Sequence, residues 1–568
     1  MKKYYRLLFL LLFSLLIASP KIGVAQIGWA KAYDQAVVVS AEERASTVGK
    51  QILRQDGNAV DAAVAVQFAL AATLPRAGNI GGGGFMVIQL ADGTSRALDF
   101  REVAPLKGGP DMYMRDGKYV PNLSREGALA VGVPGVVDGM VKALAEYGNL
   151  SLQEVIQPAI ELAANGYKLS YAQAQVLNEY DGVLQKYEGS TRYFVPGDTT
   201  RNWREGELFQ QKDLAATLKR IANKGRAGFY EGKTADLIVE EMQEQGGLIS
   251  HKDLQSYESI WRSPIEISFQ GYNLHIMPPP SSGSIAIGQI LKMLRPYDLK
   301  SYGFNSAKYV HLVTEAMRRA FADRAYFMGD PDFVDIPQEK LLSDSYNGSR
   351  MESFSWNRAN SSDSLDHGDI PFQYESTETT HFSIVDSAGN AVAVTTTLNG
   401  NFGSKVAVSG AGFLLNNEMD DFTAEPGEPN MFGLIQGKAN AIEPQKRMLS
   451  SMSPTIVTKD GTVRMVTGAA GGPRIITATL HNFLNVAVFG MNPQQANSAP
   501  RFHHQWMPDK LYFEKYGLSP DTRKKLTQMG HTLTPVEGMA RAHTVWVDED
   551  GQKYGAPDPR GDGTAEGY

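Results

Sequence analysis

Residues 379–399 constrain this chain more than any other stretch. Thr379-Thr380-His381-Phe382-Ser383 opens an apolar run continued by Ile384 and Val385, which reads as a strand. Asp386-Ser-Ala-Gly-Asn390 reads as a hairpin turn, and Asn390-Ala-Val-Ala-Val-Thr-Thr-Thr-Leu-Asn399 as the returning strand. The run before it, Arg358 to Glu378, is Ser- and Asp-rich with little apolar content and reads as an exposed, mobile loop. Thr favours strands, so Thr379 is ordinary while it sits mid-chain. It changes character if the chain is cut just before it. Its own α-amine, with a reference pKa of about 7.7–8.0, would then lie beside its own hydroxyl, partly neutral near pH 7 and able to act as a base. Nucleophile and base would be one residue.

Elsewhere the pattern alternates helix and strand. Val37 to Ser46 reads as strand then loop, Ala45 to Gln55 as a helix ended by Gly57, and Asn58 to Leu74 as an Ala-rich helix ended at Pro75. Gly81 to Gly84 leads into Phe85-Met-Val-Ile-Gln-Leu90, a buried strand. The glycine run lacks the Lys-Ser/Thr ending of a phosphate loop and enters a strand rather than a helix. Ser95 to Phe100 is the next strand and delivers Arg101. Residues 151–167 and 212–223 read as amphipathic helices. Ser306 to Met328 reads as a long helix whose Arg318, Arg319 and Arg324 form a solvated or salt-bridged face rather than a ligand site. Met452 to Lys459 and Val463 to Thr467 read as strands, and Arg474 to Val488 as a helix. Two helical and two strand-rich regions, segregated along the chain, fit two sheets between helix layers. No internal repeat and no linker-like break in composition divides the 568 residues, 42% of them hydrophobic.

The formal net charge of -7 gives no basic excess for nucleic acid. With no cysteine there is no disulfide, thiolate nucleophile or Cys-ligated metal. Lys2, Lys3 and Arg6 precede an apolar run from Leu7 to Ala18, and Gly23-Val24-Ala25 offers small residues for cleavage after Ala25. This is a secretory signal pattern over residues 1–25. The run is shorter than the roughly 20 residues that span a bilayer. A secreted, periplasmic product is expected, with no membrane attachment once the signal is removed.

Thr379 stands in a wider constellation: Thr397 and Asn399, Asn416-Asn-Glu-Met-Asp-Asp421, Arg447-Met-Leu-Ser-Ser-Met-Ser-Pro-Thr455 and Gly468-Ala-Ala-Gly-Gly-Pro-Arg474. Upstream lie Asn58-Ala-Val-Asp-Ala-Ala-Val-Ala65, Gly81-Gly-Gly-Gly-Phe85, Asp99-Phe-Arg-Glu102 and Pro278-Pro-Pro-Ser-Ser-Gly283. Together, and in this order, they resemble the γ-glutamyltranspeptidases, members of the N-terminal-nucleophile hydrolases. The resemblance implies an α/β fold, a four-layer αββα sandwich. It also implies a precursor cut between Glu378 and Thr379 into a large subunit, 26–378, and a small catalytic subunit, 379–568, which stay together as one compact body. The implied activity is γ-glutamyl transfer and glutathione hydrolysis through a γ-glutamyl ester on Thr379, without cofactor or metal. Glutathione-like donors and amino-acid or peptide acceptors would be its small-molecule partners.

On this resemblance Thr397 supports the nucleophile, its hydroxyl hydrogen-bonding Thr379 and orienting the amine. Gly471 and Gly472, without side chains, let backbone N–H groups approach the developing oxyanion; a plain tight turn is compatible with that role. A γ-glutamyl group carries an α-carboxylate and an α-ammonium. Arg101 suits the first as a bidentate partner, with Ser450 and Ser451 as hydroxyl donors. Glu418 and Asp421 supply negative charge for the second, and Asn399 an amide oxygen. The spacing of Glu418 and Asp421 also fits a metal or an acid/base pair, but no histidine lies in that cluster. His503 and His504, adjacent on a strand, face opposite ways and cannot easily share a metal. His381 is expected to pack beside the nucleophile rather than act as its base.

Pro426 to Lys438 resembles the family's lid loop, with Phe432 where many relatives have tyrosine, which removes a hydroxyl from the closed pocket. A lid argues against the lidless acylase and polyglutamate-processing relatives. The remaining rivals are an acylase on the same fold, whose glutaryl group lacks an ammonium, and a non-catalytic γ-glutamyl-peptide binding protein.

Overall fold

The structure, a computed structural model, describes residues 30–365, 379–423, 430, 431, 434 and 437–568. Residues 1–25, Glu378 and Phe432, and with them the expected signal, cut and lid aromatic, lie outside the described residues.

Among the described residues fourteen strands build the two large antiparallel sheets, seven in each. Seven precede Thr379: β1 (Lys31–Tyr33), β2 (Val37–Ser40), β3 (Gly83–Gln89), β4 (Ser95–Asp99), β5 (Ile260–Arg262), β6 (Ile265–Phe269) and β7 (Tyr272–Ile276). Seven follow it: β8 (Thr380–Val385), β9 (Ala391–Thr397), β10 (Thr455–Lys459), β11 (Thr462–Thr467), β12 (Thr544–Val547), β13 (Lys553–Ala556) and β14 (Thr564–Gly567). The orders are β14-β2-β8-β9-β3-β4-β5 and β1-β13-β12-β11-β10-β7-β6. The strands are therefore not segregated along the chain as the sequence pattern suggests. Each sheet draws on both sides of residue 379, because early strands pair with the last ones, Val37 opposite Gly567 and Lys31 opposite Gly555.

Strand alternation sorts the apolar residues into three packed layers. On β8 and β9, Phe382, Ile384, Val392 and Val394 face helices α1 (Glu43–Arg54), α2 (Ala59–Thr73), α3 (Leu152–Asn165) and α4 (Lys212–Lys224). Val385, Ala391 and Ala393 face the second sheet, meeting Ile456, Val466 and Val545. The far face of that sheet, with Leu274, Val457 and Met465, packs on α5 (Gly283–Leu294), α6 (Ala307–Phe327) and α7 (Arg474–Ala487). The result is the four-layer αββα sandwich. β3, β8 and β9 are buried on both faces; β3 is nearly all apolar, while His381, Ser383, Thr395 and Thr396 on β8 and β9 are buried with hydrogen-bond partners.

Capping explains the helix ends. Asn58 with Asp61 and Ser151 with Glu154 form reciprocal capping boxes, and Ser306 caps α6. α1 begins two residues before the expected Ala45 because the Glu42 carboxylate accepts the Arg44 and Ala45 N–H groups. β10 starts at Thr455, after Pro454, which has no N–H for the ladder.

Register fixes where the site forms. Thr380 lies opposite Thr396 and Thr397 opposite Gly83, while β4 ends at Asp99 opposite Phe85. Thr379, Asn399 and Arg101 therefore leave the first sheet at one end. In the second sheet Thr455 lies opposite both Thr467 and Ile276. Ser450-Ser451, Gly471-Gly472 and Pro278–Ser282 thus flank the strands at one end of that sheet.

Candidate active site

These two ends meet in a buried pocket. Thr379, Thr397, Arg101, Asn399, Glu418, Asp421, Ser450, Ser451 and Gly472 line it, together with Arg324, Leu434, Leu449, Met452 and Ile475. Nine of the residues expected from sequence thus converge from segments spread over more than 350 positions. Free space in it is only ≈ 20 Å³, room for about one water.

Thr379 immediately precedes β8 and is 7% exposed. Thr397 ends β9, and its hydroxyl accepts the Asn399 N–H at 2.7 Å. That bond closes a turn in which Asn399 has φ 76°, a left-handed conformation Asn tolerates better than most residues. Asn399 Nδ2 donates to the Asn417 carbonyl at 3.0 Å.

Gly471 and Gly472 have φ 143° and 56°, both unfavourable with a side chain, and a Cβ on Gly471 would lie 2.8 Å from Ala540 Cα. Gly472 reaches the pocket; Gly471 sits one residue back, against Ala540. The N-terminus of α7 begins two residues after Gly472, so its first-turn N–H groups and dipole lie beside the same spot.

Arg101 is the hub. Its guanidinium pairs with Glu418 at 2.6 Å and Asp421 at 2.5 Å, with Glu102 at 3.5 Å, and donates to the Met448 and Leu449 carbonyls at 3.4 Å each. Its backbone is fixed by Asp99 and by the Tyr257 hydroxyl. Glu418 to Asp421 form a single 3₁₀ turn, in which residues three apart stack on one side. Both carboxylates therefore reach Arg101, while Asp420 turns away to Ser124 and the Met431 N–H.

Three carboxyls crowd one guanidinium in a buried site, so protons are held tightly. Burial pushes Glu418 well up, Glu102 to about 8 and Asp421 to about 6, each against the pull of Arg101. Burial also works against the Arg101 charge, but Glu418, Glu102 and Asp421 more than offset it and hold its pKa above the ordinary value.

Ser450 and Ser451 precede β10. The Ser450 backbone is clamped by the Pro280 carbonyl and by Ser282, whose N–H and hydroxyl both donate to the Ser450 carbonyl, at 2.8 and 2.7 Å. Ser450 Oγ accepts the Met452 N–H at 3.1 Å and Ser451 Oγ accepts from Arg324 at 3.2 Å.

On α6 the expectation of salt-bridged arginines holds for Arg318 and Arg319, which share Glu315, but all three are buried rather than solvated, and Arg324 lines the pocket. Eighteen of its 21 residues are buried, with apolar residues at every angle, so no solvent face was available for the charges. His381 is fully buried, its ring nitrogens on Thr395 and Ser383 hydroxyls at 2.8 and 3.0 Å, and it does not line the pocket. Burial holds it well below the ordinary imidazole range. His503 and His504 go to different partners, Thr477 and Gln505 against Asp509.

Among the described residues one donor cluster has metal-like spacing, His311, Glu315 and His531, which the sequence reading did not single out. The two imidazoles are hydrogen-bonded to each other at 2.7 Å, and Glu315 is engaged by two guanidiniums that oppose a cation. No described helix is long and apolar enough to cross a membrane.

The family model described as gamma-glutamyltranspeptidase matches residues 45–568. The glutathione hydrolase proenzyme of Escherichia coli K12 is 46% identical over 94% of this chain and 92% of its own. Among solved structures, a cephalosporin acylase from Bacillus halodurans superposes with TM-score 0.84 at 26% identity, covering 95% of this chain and 97% of that one. A Helicobacter pylori γ-glutamyltranspeptidase chain gives 0.56 at 44% identity, covering 59% of this chain and 94% of that one.

Proposed function

The chain belongs to the gamma-glutamyltranspeptidase family, and on that premise we propose how its residues carry out γ-glutamyl transfer and glutathione hydrolysis. The observation that carries the reading is the ion-paired cluster of Arg101, Glu418 and Asp421 in the pocket of Thr379. A zwitterionic amino-acid head can exchange with that internal pairing charge for charge. Its α-carboxylate takes Arg101 and its α-ammonium takes Glu418 and Asp421. A glutaryl group would take Arg101 and leave the buried Glu418 and Asp421 carboxyls, Asp421 ionised at neutral pH, without a cation, which disfavours an acylase.

The product is secreted to the periplasm without residues 1–25 and matures by one internal cut. The Thr379 hydroxyl attacks the Glu378 carbonyl, the Glu378–Thr379 C–N bond breaks and an ester forms. Water hydrolyses the ester, leaving Glu378 as a carboxylate and Thr379 with a free amine. In turnover that amine takes the hydroxyl proton as Oγ attacks the γ-carbonyl, and Thr397 holds the hydroxyl end in place. Gly471 and Gly472 N–H groups stabilise the oxyanion. The leaving amine departs with the proton, the γ-glutamyl ester remains, and water or an acceptor amine completes the cycle. Asn399 contacts the donor head, and Ser450 and Ser451 donate to its carboxylate.

The test compares anilides of γ-glutamate and glutarate. Wild type should prefer the γ-glutamyl donor; a preference for glutaryl overturns the reading. Asp421→Ala should lower kcat/KM for the γ-glutamyl donor at least ~30-fold, about 2 kcal/mol, the low end for breaking a buried charge pair. It should leave glutaryl turnover unchanged or improved, and an equal loss on both donors would remove Asp421 from ammonium recognition.

The pH profile gives an independent check. Asp421 titrates near 6 and holds an ammonium only when ionised. Below that value kcat/KM for γ-glutamyl donors should show a second limb of about tenfold per pH unit, added to the fall that the required deprotonation of the Thr379 amine imposes on every donor. The glutaryl donor should lack that limb. A γ-glutamyl profile flat from pH 7 to 5 would contradict the assignment.

A further inference from the structure

Arg324 is 3% exposed, and its guanidinium lines the same pocket. Its partners are hydroxyls: Nε donates to Ser282 Oγ at 2.8 Å and Nη2 to Ser451 Oγ at 3.2 Å. Among the described residues no carboxylate lies within 4.0 Å of it, unlike Arg101, Arg318 and Arg319, which are all ion-paired. A fully buried cation without a counter-ion is costly, and burial draws this one down to about 10 despite the Asp421 charge.

Its bonds also orient the serines. Ser451 Oγ accepts from a cation, which strengthens its O–H as a donor and leaves less room for it to accept from a ligand. Among the described residues nothing takes the Ser451 or the Ser450 hydroxyl proton; both oxygens only accept, from Arg324 and from the Met452 N–H. Two buried hydroxyls and the Arg324 guanidinium thus present donors at one end of the pocket, which Arg101 also lines. That end suits an anion. Ser282, the second partner of Arg324, fixes the Ser450 carbonyl, so the same arginine ties α6 to the loop that carries both serines.

Resting on the γ-glutamyl reading above, we propose that Arg324 is a positioning and specificity residue for the donor's α-carboxylate. It holds Ser451 as a hydroxyl donor and supplies positive charge beyond that of Arg101. When the donor enters, its carboxylate meets a net positive end, while its ammonium meets the Glu418–Asp421 turn. The two cations therefore divide the work: Arg101 exchanges partners, and Arg324 keeps its own and biases the site.

The test uses three anilides on the purified protein as it is made: γ-glutamyl, glutaryl (no ammonium) and 4-aminobutyryl (no carboxylate). Arg324→Met should raise KM for γ-glutamyl and glutaryl donors at least ~10-fold with kcat within about threefold. It should change 4-aminobutyryl kcat/KM by less than about twofold. Combined with Ser451→Ala, its effect on γ-glutamyl KM should shrink, since part of it acts through that hydroxyl. Equal loss on all three donors, or full additivity with Ser451→Ala, overturns the proposal. If the methionine variant does not fold, Arg324→Lys keeps the charge and loses the fork. It should show the same donor-dependent split at smaller size, and a uniform loss again overturns the proposal. A wild type that turns over 4-aminobutyryl as well as γ-glutamyl would sink the substrate reading itself, a result distinct from either.

Discussion

Thr379→Ala leaves one uncut polypeptide and lowers γ-glutamyl turnover by at least ~10⁴-fold, the scale on which removing an enzyme's nucleophile acts. Wild type should run as two bands, the smaller beginning Thr-Thr-His-Phe-Ser. In the proposed mechanism the hydroxyl acts twice, once to break the Glu378–Thr379 bond and once to take up the acyl group. Thr379→Ser keeps it and should retain both events at reduced rates. N-terminal sequencing and an anilide assay on the same samples decide the matter. Normal cleavage in the alanine variant would sink self-processing.

The second large effect belongs to Arg101. Arg101→Lys should lower kcat/KM for γ-glutamyl donors at least ~100-fold, about 2.7 kcal/mol, while cleavage at Thr379 continues. Nη1 engages Glu418 and Nη2 engages Asp421, and the fork also donates to the Met448 and Leu449 carbonyls. A single ammonium on a shorter stem cannot span these groups, and it would meet a donor carboxylate at one point instead of two. Kinetics equal to wild type in the lysine variant would take Arg101 out of donor recognition.

The elements that carry the site are legible in sequence as strand ends and tight turns, where local signals are strong, while the roles of its residues follow from the family resemblance. The 379–399 hairpin, the strand delivering Arg101 and the Gly471-Gly472 turn all announce themselves by composition. The 418–421 spacing likewise puts two carboxylates on one side of a short turn. What sequence does not reveal depends on distant contacts. Arg101 and Asp421 are 320 residues apart, so their mutual pairing in the pocket has no local signature. Arg324 was hidden for a different reason. Charged residues in a helix are ordinarily read as solvent-facing, and only the packing of α6 between sheet and serine loop turns this one inward. The expected segregation of strands failed because strand order in an antiparallel sheet is set by long-range pairing that a linear pattern does not carry.

That interlaced strand order bears on how the cut protein behaves when it is unfolded. Five hydrogen-bonded seams, β14/β2, β2/β8, β9/β3, β1/β13 and β10/β7, join chain from before residue 379 to chain from after it. Before cleavage, refolding is a unimolecular search by a tethered chain. Afterwards the same seams have to be rebuilt between two separate molecules, so recovery from denaturant slows with dilution, while the uncut Thr379→Ala chain recovers at a rate independent of concentration. Cleavage thus makes the folded state harder to regain than to leave, and the working lifetime of the mature enzyme is set by its unfolding rate rather than by an equilibrium.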